Sequence, residues 1–495
     1  MSRLALLIDF GSTFTKLVAV DLDTSQLLGQ SQAPSTVGTD VREGLLCALI
    51  ALHERHAVFD RTPNDLSILA GKTVLASSSA AGGLRIAVVG NVPGLTVEAA
   101  HQAALGAGAK IVGSTAFRLT ADKILEIEKL RPDLVLLTGG VDGGDAATIV
   151  HNARLLAHSA LITPIIVAGN IAVRGEVAGI LERGGKETRL VENVMPRAGT
   201  VAVGSAREAI RDLFMERITH AKGLNEVKEF VQVVLPTPMA VLEASRLGAD
   251  GTGSEEGWGD LLAVDIGGAT TDVHSIGYGV PAGESVIAQG LAEAYAKRTV
   301  EGDLGIRFNA ATLSARVGLE KLAADLRRDF PAESVPTAAL GDYIERISDD
   351  TATVPQARWH LAADAVLARA AVDLAVARHV GRRERIVARQ GEAWVHSGKD
   401  LRDTRTLIGT GGVFVHNPFA AYILSPPPSG VAPFEILRPR KPNLCFDSSY
   451  LLYAVGLLSQ RFPDVALELF KRYLTPADDQ NPKSEARNPK QTPKM

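Results

Sequence analysis

With only two cysteines in 495 residues, Cys47 and Cys445, the chain can build neither a disulfide framework nor a thiolate zinc site. Strong charge of either sign is missing too. The formal net charge is −4, and no lysine and arginine cluster is long enough to read as a nucleic-acid surface. No stretch reaches the uncharged length that a membrane helix needs. The apolar start, Leu4–Phe10, soon runs into Asp9 and a glycine, so it reads as a strand and not as a signal peptide. A G-x-S-x-G elbow and an evident catalytic triad are absent. His53-Glu54-Arg55-His56 spaces its histidines three apart where a zinc-protease helix spaces them four, and it reads as a solvated helix face. What remains is the balance of a soluble cytoplasmic protein, 46% hydrophobic and 22% charged, too long for one core and expected to divide into two or three domains.

Two short segments carry most of the information. Leu6–Lys16 reads L-L-I-D-F-G-S-T-F-T-K, and Leu261–Asp272 reads L-L-A-V-D-I-G-G-A-T-T-D. Each is an apolar run ending in Asp, then glycine, then hydroxyl residues. A β-hairpin of this kind suits a nucleotide's phosphates: glycine lets backbone N–H groups approach the anion, and the Asp at the strand end faces a metal ion. Two such hairpins predict a duplicated, two-lobed ATP clamp. Leu407-Ile408-Gly409-Thr410-Gly411-Gly412-Val413 adds an apolar strand with a glycine-rich turn.

These three segments, in this order, resemble the actin-like ATPase superfamily of actin, sugar kinases and DnaK-type chaperones. The first phosphate loop matches Asp9–Lys16, the second Asp265–Asp272, and the adenosine motif Leu407–Val413. More specific strings run from Leu4 to Leu474: V-V-G-N-V-P-G-L-T at Val88–Thr96, L-L-T-G-G-V-D-G-G at Leu136–Gly144, V-A-G-N at Val167–Asn170, N-V-M-P at Asn193–Pro196 and V-E-G-D-L-G at Val300–Gly305. By these the chain resembles the glutamate mutase accessory proteins called MutL or GlmL, unrelated to the mismatch-repair protein of the first name. The resemblance implies an ATP-dependent partner of adenosylcobalamin-dependent mutases that renews enzyme whose cofactor is damaged, with ATP and Mg²⁺ as its own ligands and no nucleic-acid or membrane partner. Which mutase is left open.

The expected fold is α/β: a two-lobed actin-like, ribonuclease H-like clamp with an inserted parallel α/β domain. Strand-like runs at Leu84–Gly90, Ala109–Val112, Leu134–Thr138, Pro164–Ala168 and Arg189–Val194 alternate with helical segments and predict βαβ units. The expected divisions are 1–81 for the first lobe, 82–211 for the insert, 212–256 for a return to the first lobe, 257–475 for the second lobe, and a disordered polar tail, 476–495. The glycine loops at Gly90–Gly94 and Thr138–Asp145 read as tight strand-end turns or as contacts to the partner or its corrinoid. Within Ser449–Leu474, a helical stripe, Pro463 is expected to break the helix.

Phosphoryl transfer needs positioning and charge neutralisation. Asp9 and Asp265 are expected to hold hydrated Mg²⁺ and orient the attacking water. Gly11, Ser12, Thr13, Gly267, Gly268, Thr270 and Thr271 would donate to β- and γ-phosphate oxygens. Lys16 either reaches the same oxygens or faces solvent, and Asp272 either supports the metal's water shell or caps its turn. Gly409, Gly411 and Gly412 would pass close to the adenosine; Glu301 and Asp303 either contact the ribose or stabilise the lobe. In DnaK-type chaperones the segment matching Leu235-Pro236-Thr237 begins with a glutamate that orders the catalytic water. Leucine cannot do this, so hydrolysis is expected to be slow unless another carboxylate such as Glu243 substitutes. A small-molecule kinase and a nucleotide-gated structural protein are the competing classes.

Overall fold

The computed structural model describes residues 3–11, 14–36, 39–78, 84–218, 227, 229–231, 233–281, 286–388, 391–427 and 434–476. Ser12, Thr13, the boundary at 81/82 and the tail from 477 onward lie outside them.

The first lobe opens with β1 (Leu4–Phe10), β2 (Phe14–Asp21), β3 (Gln26–Pro34) and β4 (Thr73–Ser78). Strand β1 is a nearly continuous apolar run and buries both faces, as a central strand must. In β3 buried and exposed residues alternate, the pattern of a strand that covers a core on one side only. The helix Val41–His56 crosses that core; the Asp40 side chain caps its N-terminus on the Arg42 N–H, and Ala57 closes it in the left-handed region at φ 49°.

The chain then leaves to build β5 (Arg85–Val89), β6 (Lys110–Thr115), β7 (Leu134–Leu137), β8 (Ile165–Val167) and β9 (Thr188–Leu190), and returns as β10 (Val233–Pro236). Strands β5 to β9 form a separate, fully parallel sheet in the order β6-β5-β7-β8-β9. The helices Glu98–Gly106, Ala121–Leu130, Ala147–His158 and Arg174–Arg183 alternate with these strands. The first-lobe sheet runs β10-β4-β1-β2-β3, antiparallel through β1, β2 and β3 and parallel through β1, β4 and β10.

The second lobe repeats that plan. Its strands are β11 (Leu261–Ile266), β12 (Thr271–Ile276), β13 (Val286–Gln289), β14 (Ala296–Glu301), β15 (Arg382–Ala388), β16 (Gly391–Ser397), β17 (Thr406–Thr410), β18 (Phe434–Ile436), β19 (Asn443–Phe446) and β20 (Thr475–Pro476). The main sheet is ordered β14-β12-β11-β17-β19-β20. Here β11, β12 and β14 are antiparallel while β11, β17 and β19 are parallel, so five strands match the first lobe in order and direction. The two-lobed actin-like architecture is therefore present as a structural duplication. A four-stranded sheet, β13-β16-β15-β18, is an addition that the sequence pattern did not suggest.

The lobes meet on an apolar layer of their own. Ala5, Leu7 and Val18 from the first sheet and Leu261 and Ala263 from the second pack with helices Thr237–Asp250, Leu452–Ser459 and Pro463–Tyr473. The first two helices cross so closely that a Cβ on Gly456 would collide with the Ala240 carbonyl. Pro463 splits the C-terminal helical stripe and starts the second piece, where its missing N–H costs no helical bond.

Candidate nucleotide site between the lobes

Each phosphate hairpin sets its Asp by register. In the first, Asp9 pairs with Lys16; in the second, Asp265 pairs with Asp272. Asp9 is buried, and its Oδ1 accepts from Ser77 Oγ at 3.0 Å and Thr237 Oγ1 at 2.6 Å. Burial raises its pKa, opposed by Lys16 and by these two hydroxyls. Asp265 is more open and has no hydrogen-bond donor among the described residues. Desolvation, followed by repulsion from Asp272, pushes its carboxyl up to about 7, with Lys16 pulling the other way.

Lys16 joins the two lobes electrostatically. Its ammonium sits 3.4 Å from the centroid of the Tyr450 ring and feels Asp9, Asp265 and a third carboxylate, Asp447. Burial lowers its pKa and the three carboxylates raise it. The solvent-facing alternative for this lysine is thereby removed.

Asp447 and Tyr450 were missed at the level of motifs. Asp447 is buried and accepts from Thr410 Oγ1 at 2.9 Å and from the N–H groups of Leu451 at 2.6 Å and Leu452 at 3.0 Å, so it caps the start of the helix Leu452–Ser459. The available signal was Asp-Ser-Ser before an apolar helical run, an N-cap pattern. Tyr450 holds φ at 52°, an uncommon backbone state for an aromatic residue.

The glycines differ in what they are for. A Cβ on Gly11 would lie 2.6 Å from the Phe14 carbonyl oxygen, inside the hairpin turn. On Gly411, at φ 107°, it would collide with the Ile266 carbonyl and stand 3.1 Å from Asp265 Oδ1, so the adenosine-motif turn is pressed against the second hairpin. On Gly409 it would strike the Phe414 ring at 2.7 Å, a packing requirement, while around Gly412 the space is open. At the second hairpin's tip Gly267 N–H closes the turn on Thr270 O at 2.9 Å, and Gly268 is exposed. Beside the site, a cavity of about 420 Å³ lies between Lys16 and Gln32 of the first lobe and Gly412, His416 and Tyr450 of the second.

Three expectations change. Thr271 is buried with its hydroxyl donating to Leu304 O at 2.7 Å, so that side chain is tied into its own lobe and is not a phosphate donor. Asp272 does not cap its turn: Arg298 grips its Oδ2 at 2.7 Å, leaving Oδ1 buried and without a partner. Glu243 pairs with Arg246 at 2.9 Å one helical turn along, an ion pair within its own helix. Glu301 and Asp303 are both held by Arg378, at 2.5 and 2.7 Å, which gives them a lobe-stabilising role. Leu235 pairs in register with Ser77, whose hydroxyl reaches Asp9; it therefore lies on the cleft-facing side, packed in the interlobe apolar layer.

Among the described residues no group of three or more His, Cys, Asp or Glu side chains is arranged to hold a metal ion by itself. Asp9 and Asp265 nonetheless fit Mg²⁺, a hard cation that takes one or two carboxylates and fills its remaining positions with water and phosphate oxygens. The orphaned Oδ1 of Asp272 supplies a further buried oxygen next to Asp265.

The model of the MutL protein family matches residues 5–474. The chain belongs to this family. A relative, protein MutL of Clostridium tetanomorphum, is 41% identical over 475 residues, covering 95% of this chain and 98% of its own. Among solved structures, xylulose kinase from Bifidobacterium adolescentis aligns over 96% of each chain at 12% identity and a TM-score of 0.31. The ethanolamine utilization protein EutJ from Carboxydothermus hydrogenoformans aligns over 94% of this chain and 90% of its own, at 12% identity and a TM-score of 0.26. No helix among the described residues is long and apolar enough to cross a membrane.

Proposed function

We propose that this MutL-family protein is a cytoplasmic, ATP-dependent reactivating partner of an adenosylcobalamin-dependent mutase, either glutamate mutase or a related aminomutase, and that it exchanges damaged corrinoid for intact cofactor. The observation that carries the nucleotide part is the convergence of two topologically equivalent hairpins, each ending in an Asp, on one lysine. The mutase part is supported by family membership and by the family-specific strings of the sequence.

In this reading Asp9 and Asp265 would hold Mg²⁺, with Asp272 as outer support, and the ion would supply charge neutralisation of the phosphates. Asp9 is held in place by Ser77 and Thr237, and Asp265 orients the attacking water. Gly11 and Gly267, whose own N–H groups close the two hairpin turns on Phe14 O and Thr270 O, let the backbone come close to the phosphates, while the backbone N–H groups of Ser12, Thr13, Gly268 and Thr270 and the Lys16 ammonium donate to phosphate oxygens. Gly409, Gly411 and Gly412 let the chain run beside the adenosine. Leu235 offers no carboxylate at the water position, so the resting ATPase is slow and the mutase stimulates it. The inserted parallel domain, with its Val92–Thr96 and Val141–Asp145 loops, docks on the mutase.

The test starts from a candidate mutase inactivated by turnover, to which this protein, ATP and fresh adenosylcobalamin are added while recovered activity and phosphate release are followed. Recovery that needs ATP, with hydrolysis faster in the mutase's presence, is expected. Failure on every cobalamin mutase of the host, or isolated turnover near the enzyme median of about 10 s⁻¹, would overturn the reading.

A further inference from the structure

We infer that Arg298 is a positioning residue that couples the second phosphate hairpin to the inserted domain through the turn Leu105–Ala109. The inference rests on the nucleotide reading above and names the route by which the site's state reaches the insert.

Arg298 stands on β14 and is only 4% exposed. Its Nε and Nη2 donate to Asp272 Oδ2 at 3.2 and 2.7 Å; its Nη1 donates to the carbonyls of Leu105 at 3.4 Å and Ala109 at 3.0 Å. Leu105 stands in the last turn of the helix Glu98–Gly106, at the negative end of its dipole, and Ala109 in the turn that leads into β6. One guanidinium thus serves a carboxylate paired in register with Asp265 and the end of a helix in another domain.

Few other polar links span that junction. Among the described residues, the insert (84–218) and the second lobe are joined by the Arg298 bonds and by Gln102 Nε2 to Ala292 O at 3.4 Å, with no ion pair between them. Elsewhere the junction opens into a cavity of about 660 Å³, with Glu98, His101 and Arg207 on one wall and Lys297 and Arg378 on the other. Apolar contact also crosses the junction, where Leu291 packs against the core that the insert shares with the first lobe, and the Arg298 bonds are the main polar link among the described residues.

The same turn touches the first lobe. Gly108 holds φ at 86°, and a Cβ there would meet Pro236 Cβ at 2.8 Å. Pro236 precedes Thr237, whose hydroxyl fixes Asp9. Five residues, Leu105–Ala109, therefore lie against the supports of both hairpin carboxylates. Asp272 is only half satisfied, because its Oδ1 has no partner among the described residues. When the charge beside it changes on nucleotide binding, its carboxylate has a reason to turn. A buried guanidinium cannot be left unpaired without large cost, so Arg298 moves with Asp272, and its bonds to the two carbonyls shift with it.

The experiment is amide hydrogen exchange on the full chain with and without Mg-ATP, alongside nucleotide affinity and thermal stability. In the wild type, Mg-ATP should change exchange across Glu98–Lys110 by about fivefold or more, the lower end of ordinary allosteric coupling. Arg298→Lys keeps the charge but cannot fork between two acceptors; it should bind Mg-ATP and show less than about a twofold change there. Gln102→Ala should retain the wild-type response. If Arg298→Lys fails to fold, Asp272→Asn, which weakens the same bridge from its other end, should lose the response in the same way. A wild-type response in the bridge variants, or tight Mg-ATP binding with no change in Glu98–Lys110, overturns the inference. Absence of any Mg-ATP binding by the wild type overturns the nucleotide reading and this inference together.

Discussion

The two hairpins share strand order, direction and the position of their Asp, yet the carboxylates live in different surroundings. Asp9 is enclosed and receives two hydroxyl hydrogen bonds. Asp265 has no such donors among the described residues, and desolvation, followed by repulsion from Asp272, pushes its carboxyl up to about 7. Repeating a fold has reproduced geometry without reproducing chemistry. One lobe ties its carboxyl to two hydroxyl donors and the other leaves its carboxyl without them and near 7, which suits it to the variable part of the reaction.

The sharpest way to break that comparison is to neutralise the open member. Asp265→Asn should lower kcat for ATP hydrolysis by about 10²–10³ while leaving nucleotide affinity nearly intact. Unchanged hydrolysis in a steady-state phosphate assay removes Asp265 from the mechanism. Next in size is the contact that presses the adenosine turn on the second hairpin. Gly411→Ala places a methyl group against the Ile266 carbonyl at a positive φ. It should cost about 1–3 kcal/mol in a denaturant titration, and no loss would mean the turn has slack.

A smaller effect distinguishes the carboxylates by pH. An acid whose folded pKa is about 7, against an unfolded value of about 3.9, holds its proton in the folded state through the interval where the unfolded chain has lost it. Its stabilising contribution is therefore full at low pH and is lost as pH rises toward 7. Wild type should lose stability relative to Asp265→Asn across that window, and kcat/KM should rise through it as the base form appears. Parallel stability curves for the two proteins would contradict the assignment. The smallest expected change is Leu235→Glu, which puts a carboxylate on the Asp9 face of the sheet, across Ser77 from it. Basal hydrolysis per folded molecule should rise by about tenfold, at some cost in melting temperature from the buried charge; an unaltered rate would show that Leu235 does not stand at the water position.

Asp9, Asp265 and the glycines around them were legible because a strand, an Asp and a tight turn are local features. The parallel insert was legible for the same reason, as β5 to β9 fall on apolar runs of the sequence. Asp447 was not, since only the sheet order, which sets the end of β19 against β17, brings it within electrostatic reach of Lys16 and Asp265. Arg298 carries no motif at all: it is one basic residue in a mixed strand, A-K-R-T-V-E, and its meaning comes from a helix end contributed by a different domain. The tie of the Thr271 hydroxyl to Leu304 was not legible, because residue type alone does not tell a hydroxyl facing a ligand from one bonded to its own lobe. The sheet β13-β16-β15-β18 escaped because strands such as R-R-E-R-I-V-A lack clean alternation.

The account stands most directly on one nucleotide being held by both lobes at once. Amide exchange of the wild-type protein, measured with Mg-ATP at saturating concentration, should show joint protection of the Phe10–Lys16 and Ile266–Asp272 segments, saturating at one nucleotide per chain. Protection confined to a single hairpin, or absent from both, would contradict it.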